Sequence, residues 1–512
     1  MASRSLRLTL CVAAGIAACT LGLRAQKVSN TDAEVQYQLG VLLSGETRYE
    51  LAVDAFDRAT RADDPDLVNR ARNGKIQAAM RTAQFALARQ EAERLRVDAP
   101  LDVDARTLHA DTLWAAGLFD ESEALYRDVL KEAPNASRAR FGSARALATR
   151  SHLDDALAEA MTAVSLAPRD GEIHAELGSI YERLHRFDDA AASYTNYINL
   201  LPNKDHSDKA AWARAQVKFL QAFEGRVPVE VQPAAAARLH TVPFKLVRDK
   251  IVVQARINGG PLQDFILDTG SEETVVSREV AEKRGVKPIT YTLSAGVGEV
   301  GLRGLQLARV DRLEIGDLEV RNLPVLIKNP ALQGIPRREG ESFSPLSLGM
   351  SMVIDYQRQM LTIGRTLPTD DTDIRLPMRI HRLAMVRGLV NSTQPAYFVV
   401  DTGGQVISIS TDTAADLKLP DESVRRIPLK VYGTSGWDRD AFLLPGQNLD
   451  FERITYRNLP LVVLNLRAPS ALLGFRVGGI VGHKFLANYR VSMDLVRSEL
   501  RLHRIEGAPR AE

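Results

Sequence analysis

Two related stretches decide the fold: FILDTGS at residues 265–271 and YFVVDTGG at residues 397–404. In each, an apolar run with β propensity leads into an aspartate and a Thr-Gly pair, which predicts a buried strand that ends in a tight loop. Asp268 and Asp401 therefore occupy matching positions on two matching loops. Such loops would bring two carboxylates face to face.

The sequence around these stretches is repeated as well. RNLPVLI at residues 321–327 returns as RNLPLVV at residues 457–463. An apolar residue followed by glycine ends 81 residues after each aspartate, first as Leu348-Gly349 and then as Val481-Gly482. The pattern of short strands and Gly or Asn turns predicts two β-rich lobes, residues 242–368 and residues 369–512.

These motifs resemble those of the aspartic proteases, in particular bacterial retropepsin-like members with two lobes in one polypeptide. The resemblance implies that Asp268 and Asp401 share one proton and polarise a water molecule that attacks the scissile carbonyl. It also implies that Thr269 and Thr402 hydrogen-bond across the lobe junction. The loop residues that it assigns to support are Thr269, Gly270, Ser271, Thr402, Gly403 and Gly404, and the elements packed beneath them are Leu348, Gly349, Val481 and Gly482.

Two departures from the family pattern bear on activity. Gly404 stands where a Ser, Thr or Ala is usual, and the missing hydroxyl predicts one hydrogen bond fewer to a catalytic carboxylate. In addition, Gly349 lies 6 residues before Asp355, whereas Gly482 lies 12 residues before Asp494. The alternative is therefore an inactive descendant, a binding protein whose second half is a noncatalytic peptide clamp.

Two glycine-containing segments are candidates for the hairpin that closes over substrate in this family. The first spans residues 294–301 and contains Gly296 and Gly298, and the second spans residues 432–437 and contains Tyr432 and Gly433. The flap is the favoured interpretation, more so for the first segment because its glycines alternate with apolar residues, and an ordinary surface hairpin is the alternative for each.

The N-terminal half has a period of 34 residues, marked by Pro100, Pro134, Pro168 and Pro202. Helix pairs that end at proline with this period resemble tetratricopeptide repeats, which predicts about five units over residues 32–224 including a capping helix. The repeats are expected to bind a peptide or a protein partner, or alternatively to serve as a platform for the second half. Residues 225–241 are predicted to be a linker.

Composition excludes several other classes of function. Basic and acidic residues nearly balance, at 66 and 64, so no nucleic-acid partner is expected. The histidines are scattered and no His-Glu-x-x-His motif occurs, so neither a metal nor a cofactor is expected.

The first residues predict export. Arg4 and Arg7 precede an uncharged apolar run, which is typical of a signal peptide over residues 1–25. Alternatively, Cys19 ends a sequence that resembles a lipobox and would carry a lipid anchor, the one membrane attachment that we expect. Cys11 and Cys19 are the two cysteines, so a processed chain would hold no internal disulfide in the periplasm or outside the cell.

Together these patterns predict a multidomain protein: an all-α tetratricopeptide-repeat solenoid followed by an all-β bilobal aspartic protease fold. The predicted function is that of an exported aspartic endopeptidase whose repeats recruit a protein substrate or partner. The competing hypothesis is a noncatalytic peptide- or protein-binding scaffold.

Overall fold

The computed structural model describes residues 28–298, 302–328, 340–369, 372–419 and 426–505. The predicted signal peptide at residues 1–25, with Cys19, lies outside the described residues, as do residues 299–301 of the first candidate flap. The chain forms two compact units, one ending at Ala99 and the other beginning at Pro100. This division falls inside the predicted repeat domain, because the helices from residue 100 onward pack against the β-rich half.

In the described residues of the first unit there are four helices: α1 Asn30–Gly45, α2 Tyr49–Ala59, α3 Pro65–Arg81 and α4 Phe85–Asp98. Its interior is organised around Phe56, which is 3% exposed. A Cβ added at Gly40 or at Gly74 would lie 2.6 Å or 2.5 Å from the Phe56 ring. Glycines at these two positions therefore let the helices approach closely enough to bury the ring.

The second unit begins with seven helices: α5 Val103–Ala115, α6 Phe119–Glu132, α7 Ser137–Thr149, α8 Leu153–Leu166, α9 Gly171–Arg183, α10 Phe187–Leu200 and α11 Asp208–Gln221. Here too a glycine on one helix makes room for an aromatic ring of the next. A Cβ at Gly178 of α9 would lie 2.8 Å from the Tyr194 ring of α10. The predicted α-helical repeat half is confirmed. Among the described residues, none of the helices combines the length and apolarity needed to cross a bilayer.

The first β-rich lobe contains β1 His240–Val247, β2 Lys250–Ile257, β3 Gln263–Leu267, β4 Thr274–Val276, β5 Pro288–Ala295, β6 Leu302–Ile315, β7 Leu318–Ile327, β8 Glu341–Phe343, β9 Ser351–Asp355 and β10 Met360–Gly364. Two short helices complete it, α12 Pro233–Ala236 and α13 Arg278–Lys283, and a 3-10 helix spans Pro345–Leu348. The strands β2, β3, β8, β4, β7 and β6 pair in that order, and β6 pairs back with β2. They therefore close into a barrel.

The second lobe contains β11 Ile374–His381, β12 Leu383–Val390, β13 Gln394–Val400, β14 Ile407–Ser410, β15 Ile427–Pro428, β16 Val431–Gly433, β17 Gly436–Asp438, β18 Phe442–Phe451, β19 Ile454–Leu464, β20 Gly479–Val481, β21 Tyr489–Asp494 and β22 Glu499–Arg504. Its helices are α14 Thr411–Asp416, α15 Arg467–Leu473 and α16 His483–Leu486. The strands β12, β13, β20, β14, β19 and β18 close in the same way as the first barrel. The predicted duplication of a β-rich lobe is thus visible in the topology.

A third sheet joins the two lobes. It has the strand order β1, β10, β9, β21, β22 and β11, with β9 of the first lobe pairing antiparallel with β21 of the second through Ile354 and Val491. Because this sheet takes three strands from each lobe, the lobes pair within one chain.

The repeats contact the second lobe through an arginine of β11. Arg379 is 2% exposed, and one guanidinium nitrogen donates to carboxylate oxygens of Asp120 and Glu123 at 2.6 Å each. Its other nitrogens donate to the hydroxyls of Thr149 and Tyr397, both at 3.2 Å. Beside this cluster, Phe119 packs edge-on against the rings of Tyr397 and Phe475, at 4.7 Å and 5.0 Å between centroids. Apolar and ionic contacts therefore fix α6 to the second lobe.

The repeats also contact the first lobe. Phe219, Leu220 and Phe223, in and just after α11, belong to one buried apolar cluster with Val275 of β4 and Leu307 of β6. Within the predicted linker at residues 225–241, the backbone of Glu230 forms a bridge with Arg321 of β7. The helices and the barrel therefore share a core.

Candidate active site

Two threonines tie the two Asp-Thr-Gly loops together at the junction of the lobes. The Oγ1 of Thr402 accepts from the amide of Thr269 at 3.1 Å and donates to the carbonyl of Leu267 at 2.7 Å. In the reverse sense, the Oγ1 of Thr269 accepts from the amide of Thr402 at 3.0 Å and donates to the carbonyl of Val400 at 2.6 Å. Both threonines are at most 1% exposed. The four bonds fix the loops in one relative position.

The two loops bring Asp268 and Asp401 into direct contact. Their carboxyl groups lie close enough to interact, and the Asp268 carboxyl lowers the pKa of Asp401. A Cβ added at Gly270 would lie 2.6 Å from Oδ1 of Asp401, and one added at Gly403 would lie 2.5 Å from Oδ1 of Asp268. Each glycine thus leaves room for the carboxylate of the opposite loop, which explains why both loops carry Asp-Thr-Gly.

The environment of Asp401 favours proton sharing. Burial raises the pKa of this carboxyl, while the amides of Gly404 and Gly403, the charge of Lys250 and the Asp268 carboxyl oppose the rise. On the other loop, the amide of Gly270 donates to Oδ1 of Asp268 at 3.1 Å. In the described part of the chain, Oδ1 of Asp401 has no hydrogen-bond partner. The pair is therefore expected to hold one proton between two carboxyls.

The sequence predicted that Gly404, which lacks a hydroxyl, costs one hydrogen bond to a carboxylate of the pair. The structure gives no sign of such a loss. The hydroxyl of Ser271, which occupies the matching position, donates to the carbonyl of Glu273 at 2.8 Å rather than to a catalytic carboxylate. At Gly404 a Cβ would lie 2.7 Å from Oδ2 of Asp401. Glycine here lets the loop backbone approach and donate to that carboxyl.

One part of the predicted support is corrected. In the second lobe the carbonyl of Val481 accepts from the amide of Asp401 at 3.0 Å, next to Gly482, as predicted. In the first lobe the carbonyl that accepts from the amide of Asp268, at 2.9 Å, belongs to Phe343. Leu348 and Gly349 instead end a 3-10 helix just before β9. The matching pair is thus Phe343-Ser344, because β8 runs parallel to β3 there.

This correction also accounts for the unequal spacing noted in the sequence. Ser344 lies 11 residues before Asp355, close to the 12 residues between Gly482 and Asp494. Sequence reasoning missed the pair because Ser344 replaces the glycine on which the pattern depends. Its side chain is fully buried, with its hydroxyl unpaired within the described residues.

The two candidate flaps meet each other. The amide of Gly296 donates to the hydroxyl of Ser435 at 3.1 Å, and the amide of Ser435 donates to the carbonyl of Val297 at 2.9 Å. A Cβ at Gly298 would lie 2.4 Å from the Ser435 backbone, and one at Gly433 would lie 2.3 Å from the Val297 carbonyl. The glycines therefore allow close backbone contact between the lobes. Tyr432 and Trp437 pack against each other, with ring centroids 5.2 Å apart.

Two further charged contacts beside the loops were not predicted. Arg382, in the turn between β11 and β12, forms an ion pair with Glu272, four residues after Asp268. Lys250, at the start of β2, donates to the carbonyl of Gly403 in the second loop. Each cation therefore crosses from its own lobe to the loop of the other. The two aspartates are 133 residues apart, and this offset relates equivalent positions of the two lobes. It could have pointed to these positions, but it does not show which side chains reach the other lobe.

We expect the substitution Thr402→Val to destabilise the lobe junction by about 2–4 kcal/mol, because it leaves the buried amide of Thr269 and carbonyl of Leu267 unpaired. Valine has nearly the same shape, so the loss measures the hydroxyl. Urea unfolding curves and differential scanning calorimetry both measure this loss of stability. The control Thr162→Val removes an exposed hydroxyl of α8 and is expected to change stability by at most about 0.5 kcal/mol. Equal effects of the two substitutions would contradict the structural role of Thr402.

In the described part of the chain, no group of three or more His, Cys, Asp or Glu side chains is arranged to hold a metal ion. His483 is 6% exposed and its ring packs edge-to-face against that of Tyr356, at 5.3 Å between centroids.

Comparison with known families agrees with this arrangement. A family model described as an aspartyl protease matches twice, at residues 253–352 and 386–485. A model described as a tetratricopeptide repeat matches residues 107–168 and 144–204. The two aspartyl protease matches contain the two Asp-Thr-Gly loops, one in each. No curated protein matches the chain.

Solved structures resemble separate parts of the chain. A crystal structure of an aspartic proteinase from Irpex lacteus is 12% identical over 52% of this chain and 98% of its own, with a TM-score of 0.33. A thermophilic tetratricopeptide-repeat protein from Thermus thermophilus is 18% identical over 36% of this chain and 98% of its own, with a TM-score of 0.31. TM-scores this low carry no argument about function.

Proposed function

Because the chain consists of tetratricopeptide repeats followed by a duplicated aspartic protease fold, we propose that it is an aspartic endopeptidase with Asp268 and Asp401 as its catalytic pair. The observation that carries this proposal is the close approach of each carboxyl to the glycine of the opposite loop, which the reciprocal threonine bonds hold in place. Two carboxyls in such contact cannot both ionise readily, so they retain one proton.

A pair that holds one proton can supply both the base and the acid that peptide hydrolysis needs. The ionised carboxylate takes a proton from water as the water oxygen bonds to the scissile carbonyl carbon, and the protonated partner gives its proton to the carbonyl oxygen. The resulting diol then collapses. The amine leaves with the proton that the base took, and one diol hydroxyl returns its proton to the acid, so the pair regains its starting state.

We propose that the touching hairpins with Gly296, Gly298, Tyr432 and Gly433 close the substrate site. Their mutual hydrogen bonds support this, because a bridge between the lobes would hold a peptide against the catalytic pair and exclude water. A peptide must then enter along the bridge or after its opening. Flap opening is accordingly part of the proposed cycle.

We propose two roles for the repeats. Helices α5 to α11 serve as a platform for the protease, which their shared buried cluster with the first lobe supports. Recruitment of a protein substrate or partner would then fall to repeat surfaces away from these contacts, including the four helices of the first unit. Repeats of this family are generally used for protein and peptide binding, which favours the recruitment role.

We also propose that the protein is exported to the periplasm or beyond, on the basis of the signal-like residues 1–25. The mature N-terminus distinguishes simple cleavage near Gln26 from lipidation at Cys19. Mass spectrometry of the protein purified from cells measures it directly.

Incubation with an unbiased peptide library tests the peptidase proposal. We expect cleavage at internal peptide bonds, with a bell-shaped pH dependence. A metal chelator and reagents directed at serine or cysteine should not inhibit this cleavage. Activity should fall as the pH rises through the upper pKa of the pair, because the shared proton is lost, and as the pH falls through the lower one. Absence of cleavage over the whole pH range would favour the noncatalytic scaffold.

A further inference from the structure

The two halves of the catalytic centre carry different charges. Lys250 begins β2, and the residue 133 positions later, which begins β12, is the uncharged Leu383. Likewise, Glu272 in the first loop corresponds to the uncharged Gln405 in the second. The duplication that produced matching acids therefore did not keep matching surroundings.

On the side of Asp268, the added charges cancel. Arg382 forms its ion pair with Glu272, so this cation is balanced by a carboxylate four residues beyond Asp268. On the side of Asp401, Gln405 is an amide and its Nε2 donates to the carbonyl of Arg248 at 3.3 Å. The second loop thus has no carboxylate at the position where the first loop has Glu272.

Lys250 places its ammonium group on this second loop. Its Nζ donates to the carbonyl of Gly403, two residues after Asp401. This contact is close enough for the Lys250 charge to oppose, together with the amides of Gly404 and Gly403, the rise in the pKa of Asp401 that burial causes. The lysine both holds the loop and favours negative charge on Asp401.

Other charged groups surround the ammonium group. Asp249 precedes Lys250, and both interact electrostatically with His483 at the start of α16. Burial lowers the pKa of His483, so this ring adds positive charge only in acid. The backbone amide of Lys484 donates to the carbonyl of Gln405 at 3.1 Å, and the Lys484 side chain is exposed to solvent. By position, the counterpart of Lys250 in the second lobe is the uncharged Leu383, so the duplication does not repeat this lysine.

We propose that Lys250 is a positioning residue that makes the two acids unequal, so that Asp401 carries the negative charge and Asp268 carries the shared proton. This assignment rests on the proposed peptidase function for its catalytic meaning. In hydrolysis, Asp401 takes the proton from water and Asp268 gives its proton to the carbonyl oxygen. Asp401 then passes its proton to the departing amine, and a diol hydroxyl reprotonates Asp268.

A titration of the carboxyl groups tests the assignment without a substrate. In protein labelled with carboxyl-¹³C aspartate, the variants D268N and D401N identify the two signals, and the wild type is compared with K250Q, K250R and K245M. Lys250→Gln keeps a donor for the Gly403 carbonyl but removes the charge, whereas Lys250→Arg keeps the charge. Lys245→Met removes an exposed charge from the neighbouring strand β1.

In the wild type we expect Asp401 to ionise at a lower pH than Asp268. In K250Q the titration midpoint of Asp401 should rise by about one pH unit. In K250R and K245M this midpoint should not change. In the pH profile of kcat/KM, the acid limb should move upward by the same amount, because that limb is the protonation of Asp401. The proposal is overturned if Asp268 ionises first, or if K250Q titrates as the wild type does. A wild type that titrates as expected but cleaves no peptide would refute the peptidase function alone.

Discussion

Replacement of Asp268 or Asp401 by asparagine is expected to lower kcat/KM for peptide cleavage by at least about 10³-fold, because an amide neither accepts the water proton nor returns it. The two carboxyls work as one pair, so the double variant should be scarcely worse than either single variant. Initial rates on the best peptide from the library, measured over the full pH range, check both statements.

The matched control is Asp264→Asn, which lies four residues before Asp268 on the strand β3 that leads into the loop, and is exposed to solvent. It removes a charge near the site but outside the pair, and it should keep wild-type kcat/KM within about threefold, since no proton transfer passes through it. Calorimetry must show that all variants are folded. Cleavage at the wild-type rate by folded D268N or D401N would eliminate the pair as the catalytic group.

The substitution Arg379→Met is expected to lower the free energy of unfolding by about 2–4 kcal/mol, as much as Thr402→Val. Burial alone would raise the pKa of Asp120 and of Glu123, and the bonds to Arg379 instead leave both pKa values lowered. Loss of the guanidinium leaves these half-buried carboxylates without their main partner and leaves the Tyr397 and Thr149 hydroxyls without a donor. We expect calorimetry to show a lower unfolding temperature, and hydrogen exchange to show α6 and β11 opening more often.

Arg387→Met is the matched control for this substitution. Arg387 also joins the second lobe to α6, through Glu121 at 2.8 Å, but its side chain is 42% exposed. A surface pair of this kind contributes at most about 1 kcal/mol. If R379M and R387M lowered stability equally, the buried cluster would not be what attaches the repeats to the protease.

Stability also responds to pH at this contact, with a definite sign. The folded-state pKa values of Asp120 and Glu123 lie below their unfolded values, so their contribution is present at neutral pH and is lost as the pH falls through the folded values. Activity in acid therefore requires other contacts to hold the repeats, and the apolar cluster around Phe119 supplies them independently of pH.

The sequence predicted the features that depend on local pattern. The 34-residue period predicted helix pairs, and the two Asp-Thr-Gly loops with their apolar runs predicted strands that meet at a buried junction, because periodicity and turn chemistry are local properties. The reciprocal bonds of Thr269 and Thr402 follow from motif positions, and the structure contains all four of them.

Features that depend on tertiary pairing were not predicted. Phe343-Ser344 lies beneath the first loop because β8 pairs with β3, and strand pairing over about 75 residues leaves no local signal in one sequence. Arg379 and Phe119 are ordinary members of an amphipathic strand and helix, and only docking of the two halves reveals that they share one interface. Lys250 reads as the polar first residue of a strand until its contact with Gly403 is known.

The number of catalytic centres per chain tests the central claim most directly. A peptide in which a secondary alcohol replaces the scissile amide mimics the diol and should bind tightly between the two carboxyls. Calorimetric titration of the protein with such a peptide, built on the preferred cleavage sequence, is predicted to end at one inhibitor per chain, with binding weakened at least about 10²-fold in both D268N and D401N. Tight binding that either asparagine variant retained, or an end point of one inhibitor per two chains, would contradict a catalytic pair formed within one polypeptide.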